Sequence, residues 1–238
     1  MQSRERTYLQ PRGATVGLLE ASLSAMKSAG EQQIWFEPSS GQVLQIRRVG
    51  HGRDSRIKLH RVMKDGVWRE RRSPEKGQDG SAPETWPLRS AGMIPYPAEV
   101  GRSAVIAPLL LLQRASSLAT RPTPGKLDFP VMGDTRLHRV VLESRPDSTL
   151  DADVRIERDG RVEQLSGTRT VRHVDLRPHL LGKDGEDEAF SLLELEGETS
   201  ITIDIATGLP LQVTGEWLRV GSIPVTLRRA RLAGHCSQ

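Results

Sequence analysis

The chain has 238 residues, 36% of them hydrophobic, so one sizeable core is available and a disordered polymer is excluded. The 34 basic residues, all but six of them arginine, exceed the 30 acidic ones by too little to argue for nucleic acid. No run approaches the roughly 20 apolar residues of a membrane helix, and with 4% aromatics the core must be built mainly from Leu, Val, Ile and Ala.

From Thr7 to Arg72 apolar and polar residues alternate with period two. Leu19, Ala21, Leu23 and Ala25 share one face of a half-buried strand, and Glu20, Ser22 and Ser24 the other. The segments Ile34–Phe36, Val43–Val49, Ile57–Met63 and Val67–Arg69 continue the pattern. Turn signals at Ser40-Gly41, Gly50-His51-Gly52 and Asp65-Gly66 separate them, so residues 7–72 are predicted to form an antiparallel meander. Residues 73–101 carry Pro74, Pro83, Pro87, Pro95 and Pro97 and are expected to form a long loop without a ladder. A short helix is predicted over 103–119, with Ser103 as its cap and Leu109, Leu110, Leu111 and Leu112 as an apolar stretch that must be enclosed. Residues 127–232 alternate again, through Leu137–Leu142, Ala152–Glu157, Val162–Val171, Ala189–Leu195, Thr199–Ile205, Leu209–Val220 and Ile223–Leu232. Asp159-Gly160 and Thr207-Gly208 mark turns, and Lys183–Glu188 reads as a solvated acidic loop. With no βαβ alternation, the expectation is a single mainly β domain, 1–238. It would be a strongly curved antiparallel sheet of about ten or more strands, a half-barrel with one short helix against it.

Several motifs for covalent chemistry are missing: there is no Gly-x-Ser-x-Gly, Walker or dinucleotide-binding glycine pattern. The single cysteine, Cys236, excludes an intrachain disulfide and a Cys-based zinc site. The one metal-like cluster is His173, Asp175 and His179. Alternation places the first two on one strand face, with His179 expected beyond a turn, but Arg172 and Arg177 crowd the cation. His51, His60 and His138 have no matching spacing. The carboxylate pairs Asp151/Asp153 and Glu194/Glu196 alternate with apolar residues as any solvent-facing strand does. No catalytic residue, cofactor or metal is therefore expected.

One internal echo is present. Glu37-Pro-Ser-Ser-Gly41-Gln-Val-Leu-Gln-Ile46 and Asp204-Ile-Ala-Thr-Gly208-Leu-Pro-Leu-Gln-Val213 share an acid, a hydroxyl, a glycine and a Leu-Gln-β-branched return. Acid and hydroxyl suit turn amides, and glycine suits positive φ, so this is a hairpin device used twice.

The Leu109–Arg114 stretch and the Asp204–Pro210 hairpin, followed by Gly215 and Gly221, resemble uncharacterised bacterial periplasmic β-rich families related to the LolA/LolB lipoprotein-carrier fold. That resemblance implies an unclosed barrel whose hollow holds acyl chains. The function expected is non-enzymatic: an envelope-associated protein binding an apolar ligand, lipid or lipoprotein segment. The expected lining is Leu109, Leu110, Leu111, Leu112, Met93, Ile94, Tyr96, Trp35 and Trp217. A structural module that recruits an envelope protein through a sheet edge or Arg-rich surface is the second reading, and a metal enzyme using His173, Asp175 and His179 the third. The polar start, Met1-Gln-Ser-Arg-Glu-Arg6, has no secretory apolar stretch. The expected location is therefore periplasmic if a leader has been removed and cytoplasmic otherwise.

Overall fold

The computed structural model describes residues 16–25, 28–52, 55–78, 80–98, 100, 105–158, 160–182, 189–217 and 220–232. Residues 7–15 of the first meander, Ser103, Asp159, the 183–188 loop and Cys236 lie outside the described residues. The fold is mainly β with one short helix, as the alternation predicts. The ladder forms two sheets, six and seven strands wide, where the sequence reads as one. The backbone divides into two compact units between Pro95 and Tyr96. Among the described residues of 96–125, where Pro97, Pro108, Pro122 and Pro124 and the helix stand, the one ladder contact is an isolated bridge from Ile106 to Val131. Neither sheet closes on itself.

The first unit is an antiparallel meander in chain order: β1 (Gly17–Ala25), β2 (Ser28–Phe36), β3 (Val43–His51), β4 (Arg56–Val62), β5 (Gly66–Arg72) and β6 (Leu88–Pro95). The strand β6 corrects the expected 73–101 loop. Pro87 and Pro95 bracket a proline-free stretch, and an edge strand ladders on one side only, so β6 pairs with β5 from Gly66–Pro95 to Arg72–Leu88. What remains of the loop is tied down by Trp86. This fully buried ring packs on Val49 and Ile57, donates from its indole nitrogen to Ser81 Oγ at 3.0 Å, and meets His51 edge-on. At the β4–β5 hairpin Gly66 serves a close approach: a Cβ there would stand 2.3 Å from the Ile94 carbonyl oxygen of β6.

The second unit contains α1 (Leu110–Ala119), β7 (Lys126–Met132), β8 (Leu137–Arg158), β9 (Arg161–Leu180), β10 (Glu196–Asp204), β11 (Pro210–Trp217), β12 (Gly221–Thr226) and β13 (Arg229–Leu232). The order is β12-β11-β10-β9-β8-β13, antiparallel except for the β8–β13 pair, while β7 pairs the opposite end of β8. Two predicted strands merge into β8 because a register shift between Ser144 and Asp147 accommodates Pro146, which has no N–H to give the ladder. Ala189–Leu195, predicted as a strand, instead contains a tight turn. Leu192 and Leu195 exchange backbone hydrogen bonds across Leu193 and Glu194, both at positive φ.

The helix is shorter than predicted, and begins just after Pro108, whose carbonyl accepts from Leu111 N. Leu110, Leu111, Ala115, Leu118 and Ala119 form one buried face on β8, β9 and β10, each leucine stabilising the unit by roughly 1.5–3 kcal/mol. The C-terminal end is held from the sheet. Arg172 of β9 is buried and donates from Nη1 to the Ala119 carbonyl (2.9 Å) and the Arg121 carbonyl (2.6 Å), and from Nε to Asp147 (2.6 Å). Carbonyls that a helix end leaves orphaned thus receive a cation, which also suits the negative pole of the helix. The hydrogen bond and charge of Arg172 hold the Asp147 carboxyl below its usual range.

Both copies of the echoed hairpin close identically. Glu37 N donates to Gln42 O and Gly41 N to Glu37 O; Asp204 N donates to Leu209 O and Gly208 N to Asp204 O. Gly41 and Gly208 sit at φ 72° and 70°, where a side chain is strained. Ser40 donates to the Glu37 carboxylate and Thr207 to that of Asp204, and each hydroxyl accepts the amide two residues on. The copies differ in setting: Glu37 is exposed, whereas Asp204 is fully buried and gripped by Arg169.

Candidate functional site

The metal-like cluster does not assemble. His173 and Asp175 share a face of β9 as expected, but His179 lies on the same unbroken strand, six positions on, so about 20 Å separates the two histidines. Asp175 is ion-paired to Arg145. Both ring nitrogens of His173 are taken, Nε2 by Ser148 Oγ at 2.9 Å and Nδ1 by Thr202 Oγ1 at 3.0 Å. Among the described residues no group of three His, Cys, Asp or Glu is placed to hold a metal ion. Asp151 and Asp153 accept from Thr168 and Gln164 across the β8–β9 ladder, as solvent-facing strand residues do.

The expected apolar lining divides between the units. Leu109, Leu110 and Leu111 are buried in the core of the second, Leu112 is half-buried, and Trp217 ends β11. Ile94 lies on the opposite face of β6 from Met93, and Tyr96 follows that strand. Trp35 and Met93, however, belong to one cross-strand row. The register pairs Leu18 with Trp35, Trp35 with Gln45, Gln45 with Arg61, Arg61 with Trp68, and Trp68 with Met93. Directly opposed residues project from the same face, so six side chains from six strands form a line about 24 Å long.

The two ends of the line are open: Leu18 and Met93 are 50% and 46% exposed. Trp35, Arg61 and Trp68 are half-buried, and Gln45 is buried between them. The polar atoms beneath are ordered. Arg61 Nε donates to Gln45 Oε1 at 3.1 Å, and Trp68 Nε1 to Glu70 Oε1 at 3.0 Å. Arg72 stands 3.6 Å from Glu70, and Arg47 pairs with Glu84. Partial burial raises the Glu84 carboxyl, but its own backbone amide and Arg47 outweigh that and hold it below its ordinary range. The row therefore offers apolar surface from two tryptophans, a methionine and a leucine around one guanidinium.

The alternation and turn signals made these strands legible, but only the register joins Leu18, Gln45, Arg61 and Trp68 to Trp35 and Met93. The chain matches no family model, no curated protein and no solved structure.

Proposed function

We propose that the protein is a non-enzymatic binding module that holds an apolar ligand, lipid or lipoprotein segment against the tryptophan–arginine row of its first sheet. The observation that carries this reading is the exposure of Leu18 and Met93 on the same face as two half-buried tryptophans, since exposed apolar surface of this kind marks a binding face. The resemblance to LolA/LolB-related families supports a lipid or lipoprotein segment as the ligand and the envelope as the place of action. Displacement of a fluorescent fatty acid by unlabelled lipid, read on the full chain, tests the proposal. Binding at micromolar protein that Trp68→Ala weakens is the expected result. No displacement at all would retire it.

The second reading, recruitment of a partner protein, is favoured by β6, which ends the first sheet and is exposed along nearly its whole length. A partner strand added there would satisfy backbone groups that face outward. Protection of the β6 amides on adding a partner, with no lipid displacement, would support it over the first.

A further inference from the structure

We infer that the ligand of this face is an anionic single-chain amphiphile whose head group is received by Arg61, an inference that rests on the binding role proposed above. Arg61 is half-buried, and among the described residues its one hydrogen-bond partner is Gln45; no carboxylate stands within ion-pair distance. Three other carboxylates of the face are committed. Glu70 takes Trp68 and Arg72, Glu84 takes Arg47, and Glu20 takes Gln33. Gln45 is buried and binds the Nε hydrogen, which fixes the plane of the guanidinium and leaves the end-on Nη pair to receive an oxyanion.

Three features select the amphiphile. Arg61 stands within the row, with Trp68 and Met93 on one side and Trp35 and Leu18 beyond Gln45 on the other, so a bare anion would leave the apolar neighbours uncovered. The row runs across the strands, whose backbone groups are already paired in the ladder. A peptide laid along it would give up water without finding partners for its amides, whereas an acyl chain has no such groups to satisfy. From β4 to β6 the row extends about 10 Å, and from β4 to β1 about 14 Å, lengths that an alkyl chain running from a head group at Arg61 covers in either direction.

The test is titration of the full chain, by tryptophan fluorescence and calorimetry, with dodecyl phosphate, dodecanoate, dodecyl maltoside and dodecyltrimethylammonium, all below micelle formation. The anionic pair should bind about tenfold or more tighter than the maltoside, because a charge-assisted bond forms among apolar groups. Arg61→Gln should abolish that preference while leaving maltoside binding within about twofold, and Arg61→Lys should retain part of it. Trp68→Ala should weaken all four. An anionic preference unchanged in Arg61→Gln, or none in the unaltered chain, overturns the head-group assignment and leaves the apolar binding role standing. Equal binding of inorganic phosphate assigns a free-anion site instead, and tighter binding of an alternating Leu-Glu peptide assigns a polypeptide; both overturn the inference. If none of the four binds, the proposed function falls with it. Circular dichroism of each variant confirms that it is folded.

Discussion

Replacing Asp204 with alanine probes the buried member of the duplicated hairpin, with Glu37→Ala as an internal control of the same design. The Asp204 side chain is 1% exposed and receives Arg169 Nε at 3.1 Å, Arg169 Nη2 at 3.4 Å, the Thr207 amide at 2.9 Å and the Thr207 hydroxyl. Breaking one side of a buried ion pair typically destabilises by 3–5 kcal/mol, but the Arg169 side chain is 27% exposed and can rehydrate, so about 3 kcal/mol is expected. Glu37 makes the corresponding turn contact in solvent and should contribute within about 0.5–1 kcal/mol. Urea unfolding by circular dichroism gives the magnitudes, and hydrogen exchange of residues 196–217 localises the loss. The pH dependence has a definite sign. Burial raises the Asp204 carboxyl, but the Arg169 and Thr207 hydrogen bonds outweigh it and leave the folded pKa below the ordinary value. Its stabilisation is therefore complete above the unfolded carboxylate pKa of about 4 and is lost as pH falls through the lower folded value. Asp204→Ala should accordingly flatten the acid limb of the stability curve. A cost below about 1 kcal/mol, or equal costs at Asp204 and Glu37, would refute the assignment of the energy to burial of the charged pair.

Three further outcomes follow from packing and capping. Leu111→Ala should cost about 2–5 kcal/mol in urea unfolding, because the side chain is fully buried on the sheet-facing side of α1, and a loss under 1 kcal/mol would mean that the site collapses freely. Arg172→Ala should cost at least about 2 kcal/mol and expose the 115–121 amides to exchange, since the carbonyls of Ala119 and Arg121 lose their donor. Gly66→Ala should loosen β6, seen as faster exchange of residues 88–95, because the new methyl meets the Ile94 carbonyl; unchanged exchange would show that β6 shifts without loss.

Much of the local structure was legible because it is written in short-range terms. Alternation of period two marks β1 to β5, and the acid–hydroxyl–glycine formula defines both hairpins down to their hydrogen bonds. The leucine stretch declared a helix that had to be enclosed. Some features differ from the sequence pattern for physical reasons. Prolines at 87 and 95 suggested a loop, although they only bracket an edge strand. The sequence suggests a turn between His173 and His179, which the ladder with β8 removes. The Asp65-Gly66 pair signalled a hairpin correctly, but its glycine is needed for the nearness of β6 rather than for a left-handed turn.

By itself the sequence determined the class of fold, the hairpin geometry and the burial of the leucine run, since each depends on residues a few positions apart. Tertiary structure alone decided that the ladder forms two sheets, that Arg172 caps a helix some fifty residues earlier, and that Arg61 lies between Trp68 and the Gln45–Trp35 pair. Those facts depend on strand register. Register is set by the summed packing of whole strands, and a slip of one residue would turn every one of these side chains to the opposite face.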